Sequence, residues 1–183
     1  MSRRRWMMVL TLPIFLGMAM IGWGTYARHY PYGYSHSCDK QLLFALLNYA
    51  DNHGGAFPVG KESPQASFAL LYPDYAPAYL LAGKSFSESD AKSILDAGGH
   101  LTAEQCSWHY VEGLRKDDDS RFALFWDRLG LGHWGNRHSP PGRTVFFVSG
   151  SSDVIADSDW EKFLDEQNGL WREKKGVAGK FEK

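Results

Sequence analysis

The stretch "CDKQLLFALLNYADNHGG", residues 38–55, constrains the fold more than any other part of the chain. Leu42, Leu43, Leu46, Leu47 and Ala50 recur at helical spacing and draw one wide apolar stripe. Ser37 is a good N-cap, Asp39 suits the positive helix start, and Gly54-Gly55 stop the helix. A stripe that wide must lie on something, and the rest of the sequence offers a sheet. "CSWHYVE" (106–112), "RFALFWD" (121–127) and "RTVFFVS" (143–149) are rich in aromatic and β-branched residues and read as strands. In the last of these, Val145 with Phe147 and Phe146 with Val148 are apolar on both faces, which predicts a buried central strand. Gly150-Ser151-Ser152 turns the chain and "DVIA" returns antiparallel. Short helices are expected in "QASFALLYPDYAPAYLL", broken at Pro73, and in "SFSESDAKSILDAGG", with Ser87 and Asp90 spaced as a capping box. A last helix opens at a second capping box, Ser158 and Glu161. The fold class is therefore α+β, an amphipathic helix on an antiparallel sheet with short accessory helices.

At 183 residues there is room for one domain and an appendage, and the appendage is at the front. Arg3, Arg4 and Arg5 precede an uncharged run from Trp6 to Tyr26, just long enough for the about 20 residues that a transmembrane helix needs. The arginines predict an N-terminus in the cytoplasm, and Trp6, Trp23 and Tyr26 suit the two interfaces. The expectation is a single-pass anchor in the cytoplasmic membrane over 1–27, a hinge over 28–36, an exported domain over 37–167 and a flexible basic tail over 168–183. A cleavable secretory signal, with Thr25-Tyr26-Ala27 near its end, and a twin-arginine signal at "SRRRWM" are the alternatives. In all three the rest of the chain is exported.

Setting Arg3, Arg4 and Arg5 apart from the 20 basic residues leaves 17 against 21 acidic ones. That balance, with no basic stripe, argues against nucleic acid as a partner. Cys38 and Cys106 are the two cysteines, and in an exported domain an even count reads as a disulfide. Two separate buried thiols are the alternative reading. The aromatic share is 15%, mostly core, with Tyr30, Tyr32 and Tyr34 placed as interface anchors.

Chemistry is harder to find. "GLGHWG" at 130–135 matches a dinucleotide fingerprint by letter, but "NRHSPPG" follows and its prolines preclude the helix that such a site needs. His133, His138, His109 and Asp127 lack zinc-ligand spacing. A Ser/His/Asp set from Ser149 or Ser151, His138 and Asp127 has no nucleophile elbow. No cofactor and no metal are expected, and no enzyme. The 128–143 loop, with His133, Trp134, Arg137 and His138, is the candidate ligand or partner surface.

The order of parts resembles that of bacterial type IV pilin-like and pseudopilin-like proteins of unknown role. The resemblance rests on "CDKQLLFALLNYADNHGGAFP", "LLYPDY", "FWDR", "GHWGNRH" and "VFFVSGSSDVI", and covers about residues 36–166. "RRRWMMVLTLPIF" lacks the glycine and glutamate of a prepilin peptidase junction. What the resemblance implies is one long N-terminal helix whose second half packs on an antiparallel sheet. It further implies a non-enzymatic scaffold, or a component of a secretion- or pilus-like assembly, with other envelope proteins as partners. A tethered ligand- or sugar-binding module using the 128–143 loop is the alternative.

Overall fold

The structure is a computed structural model that describes residues 3–34, 39–60, 62–176 and 181, and for residues 3–15 the backbone helix alone. Helix α1 (Arg3–His29) is followed by α2 (Asp39–Asn52), then by the short helices α3 (Pro64–Ala69), α4 (Ala78–Ala82) and α5 (Glu88–Asp96). Strands β1 (Trp108–Tyr110), β2 (Ala123–Asp127), β3 (Gly142–Phe147) and β4 (Ser152–Ala156) form one antiparallel sheet in sequential order, and α6 (Trp160–Lys175) closes the chain.

The sheet is covered on both faces. On one, Trp108 Nε1 donates to Leu80 O at 2.7 Å, Tyr110 Oη donates to Pro58 O at 2.8 Å, and Phe68 meets the Tyr110 ring at 4.9 Å. These contacts bring α3 and α4 down beside α2, whose Leu42, Leu46 and Ala50 are fully buried. On the other face, Trp126 packs edge-on against Trp160 and Phe163 of α6, at 5.5 and 6.5 Å. Covered twice, β2 is buried along its whole length. In β3, Val145 and Phe146 are buried while Phe147 is half-buried beside Phe163, so that strand is central but less enclosed than its letters imply. The β3–β4 turn carries Gly150 at φ +82, a conformation that other residues rarely adopt.

Several expectations are corrected. Among the described residues no helix is long and apolar enough to cross a membrane, so a transmembrane anchor at 1–27 is not upheld. The single-pass location in the cytoplasmic membrane falls with it. Among the described side chains of α1, Leu16 to His29, the apolar residues are interspersed with Gly17, Gly22, Gly24 and Thr25 and followed by Arg28 and His29, which lower the hydropathy that a span requires. Cys106 is a free, buried thiol whose Sγ donates to Leu81 O at 3.2 Å, and it forms no disulfide. Burial pushes that thiol up to about 12, which keeps it protonated and unreactive. Its expected partner, Cys38, lies outside the described residues, as does Ser37.

The tail expected to be loose from residue 168 is helical as far as Lys175. Trp171, 7% exposed and edge-on to Phe122 at 6.1 Å, holds the helix down past Gly169. Neither capping box forms. Ser87 does occupy the N-cap of α5, but its hydroxyl bonds to the Ser89 hydroxyl, and α6 starts behind Asp159.

Candidate functional site

Asp39, Lys84 and Asp127 meet inside the fold, where α2 begins, α4 has just ended and β2 runs out. Their side chains are 5%, 0% and 0% exposed. Lys84 Nζ lies 3.0 Å from Asp39 Oδ1 and donates to Oδ2 at 3.2 Å, while Asp127 Oδ2 stands off at 3.9 Å. Nζ also points at Leu131 O, 3.5 Å away in the 128–143 loop, and sits 5.4 Å from the centre of the Trp108 ring. Asp127 Oδ1 accepts from the N–H groups of Leu129 and Leu131, at 2.8 and 3.1 Å. Among the described residues its Oδ2 has no hydrogen-bond partner.

The cluster thus holds two carboxylates against one ammonium. Burial, the largest influence, lifts the Asp127 carboxyl to about 6, against the pull of Lys84 and the two N–H groups. Burial also lowers the basicity of His138, helped by the positive Lys84, which favours its neutral form.

Lys84 reaches the interior because the chain before it makes an approach that only glycine permits. Gly83 has φ +76, and a Cβ there would stand 2.6 Å from Ser107 Cβ. The Ser107 hydroxyl then accepts from the N–H groups of Lys84 and Ser85, at 3.0 and 3.1 Å. Gly83→Ala is accordingly expected to destabilise the fold by more than about 1 kcal/mol, through both strain and collision. Chemical denaturation of the two proteins checks it.

The 128–143 loop lies over this cluster. It is pinned by a bridge between Leu131 and Arg137 and by Gly132 N donating to Asn136 O at 2.7 Å. The loop is also the seat of α1: Arg137 N donates to His29 O at 2.9 Å, and Trp134 stacks on Tyr34 at 5.5 Å. Tyr26, Tyr30 and Tyr34 continue that contact as a ladder of rings spaced 5.1 and 5.9 Å. Of the loop residues singled out from the sequence, Trp134 stacks on Tyr34, just past the end of α1, and Arg137 meets α1 through its backbone N–H. His138 bonds to Thr144 Oγ1 at 3.1 Å and lines a cavity of about 130 Å³ together with Arg137. His133 lines a different cavity, of about 420 Å³, with Asp39, Lys40, Thr144, Phe146 and Ser152.

The side chains weighed as a hydrolytic set are engaged elsewhere. Ser149 and Ser151 share a 2.7 Å hydrogen bond in the β3–β4 turn, and Asp127 faces Lys84. His109 stacks on Trp126 at 4.0 Å. Among the described residues no three His, Cys, Asp or Glu side chains stand where they could share a metal ion. Sequence reasoning missed Lys84 altogether and took Asp39 for a helix-dipole residue. The available signal was a lysine directly after "AYLLAG", an apolar run closed by glycine.

No family model, curated protein or solved structure matches the chain.

Proposed function

We propose that this protein is a non-enzymatic scaffold subunit of a secretion- or pilus-like assembly, and that it joins its neighbours through α1. The observation that carries the reading is the exposure of that helix. Leu16, Met18, Met20, Ile21 and Trp23 are each more than half exposed, while the base of the helix is seated on the 128–143 loop. At 3.6 residues per turn, Leu16, Met20 and Trp23 share one face, and Met18 with Ile21 occupy the opposite one. A single partner covers one face of a helix, so two apolar faces call for at least two neighbours. Burying each such side chain contributes roughly 1.5–3 kcal/mol, enough for a few residues per contact to hold subunits together. The likeness of the chain's motifs to pilin-like proteins points the same way.

Analytical ultracentrifugation of the full chain over a range of concentrations tests this. The expected result is association beyond a dimer, abolished by Met20→Asp and by Ile21→Asp separately, since each strikes a different face. A chain that stays monomeric, or that associates equally well with both substitutions, overturns it.

A second reading, a ligand- or sugar-binding module working through the 128–143 loop, has the cavity beside His133 in its favour. Its volume of about 420 Å³ falls in the range of about 300–1,000 Å³ usual for ligand sites. Thermal shifts with a panel of sugars, compared between the wild type and His133→Ala, decide that reading.

A further inference from the structure

We propose that the smaller cavity, between the 128–143 loop and β3, is a binding site for a small oxyanion head group, a phosphate or a carboxylate. The inference does not rest on the assembly reading, since it uses none of the exposed faces of α1, and it concerns a different cavity from the one beside His133. Arg128, Arg137 and Arg143 all line this cavity, with His138 beside them. Among the described residues Asp157 is the one carboxylate in the lining, 3.4 Å from Arg143 Nη1. Glu104 lies outside it, near enough to Arg128 to feel its charge. Three guanidinium groups against one lining carboxylate leave the cavity positive, and a positive, partly enclosed cavity concentrates anions.

Two of the arginines are also held ready. Arg143 Cζ lies over the Trp160 ring, 4.3 Å from its centre, and Arg128 Nη1 donates to Ala103 O at 2.6 Å. The backbone of Arg137 is fixed by the Leu131 bridge and by the bond to His29 O, while among the described residues no ion pair engages its guanidinium. Held arginines lose less freedom on binding, and their forks match the planar or tetrahedral oxygens of an oxyanion in pairs.

The remaining walls are small. Gly142 packs so closely on β4 that a Cβ would stand 2.6 Å from Ile155 O, and Gly130 so closely on Gly142 that its own would stand 2.9 Å from Gly142 O. The volume of about 130 Å³ is below the about 300 Å³ where drug-sized sites begin, which limits the occupant to one head group.

The test is a titration of the full chain with inorganic phosphate and, separately, with acetate, followed by NMR or calorimetry at low salt, with chloride as the control. Saturable binding of at least one of the two is expected, and the tighter identifies the head group. Arg137→Ala should weaken it on the order of tenfold, the usual scale for a lost charge-assisted contact. Asp157→Asn should strengthen it by removing the competing carboxylate. Arg143→Lys, which keeps the charge and loses the fork, should weaken it as well. Binding no tighter than that of chloride, or binding untouched by Arg137→Ala and Arg143→Lys in proteins that melt like the wild type, overturns the proposal.

Discussion

Lys84→Met is expected to destabilise the protein by about 3–5 kcal/mol, the scale for removing one partner from a buried ion pair. The substitution nearly preserves the volume of the side chain, so packing is not what it removes. It removes the one ammonium between Asp39, 3.0 Å away, and Asp127, at 3.9 Å, and leaves two carboxylates facing each other in the interior. Replacing all three charges together, as Asp39→Asn, Lys84→Met and Asp127→Asn, should restore most of the loss, because an uncharged network of similar shape has no unpaired charge to bury. Urea denaturation of the single and triple variants decides the matter. A triple variant as unstable as Lys84→Met would mean that the cluster matters for its shape and not for its charge balance.

A second large effect should appear as a pH dependence. The Asp127 carboxyl is lifted from its ordinary 3.8 to about 6 by burial in the fold. The native state therefore holds this proton more tightly than the unfolded chain does. Its contribution to stability is fully present below about pH 4 and is lost as pH rises through about 6. A shift of that size corresponds to about 3 kcal/mol. Asp127→Asn keeps an oxygen for the Leu129 and Leu131 N–H groups and cannot ionise, so it should lack this loss. The stability of Asp127→Asn relative to the wild type should thus climb by about 3 kcal/mol between pH 4 and pH 7. Melts at each unit of pH across that window measure the difference directly, and the other titrating groups cancel in it. A constant difference across the window would show that Asp127 stays ionised in the fold.

The Lys84 cluster bears on the proposed assembly as well. Lys84 Nζ touches Leu131 O, and Asp127 holds the N–H groups of Leu129 and Leu131, so the cluster fixes the start of the loop on which α1 is seated. Charge balance in the interior thereby bears on the loop to which the end of α1 is bonded.

Much of the fold was legible before any coordinates. The stripe Leu42–Ala50 became α2, the three aromatic-rich stretches became β1, β2 and β3, and the glycine at 150 turns the chain into β4. These features announce themselves because helical and strand periods are local, written within a few residues of each other. The apolar run at the N-terminus shows how far such a local signal reaches. It foretold the helix from Arg3 to His29, but length and composition together decide whether a helix spans a membrane, and this one does not reach that mark among the described residues.

The candidate sites were legible only as far as the 128–143 loop, for the opposite reason. Asp39 and Lys84 are 45 residues apart in sequence, and nothing in the letters between them says that they meet. Arg137 was named with its loop, but the arginines at 128 and 143 read as ordinary loop and strand-end charges until the sheet brings all three around one cavity. The sequence by itself determined the elements, their order and the hairpin, because short-range sterics and the spacing of apolar residues suffice for those. Only the tertiary structure decided that α6 would cover the second face of the sheet, that Cys106 would be a buried thiol and that Lys84 would lie between two carboxylates. Each of those outcomes depends on which distant side chains share the same low-dielectric interior, and only packing brings them together.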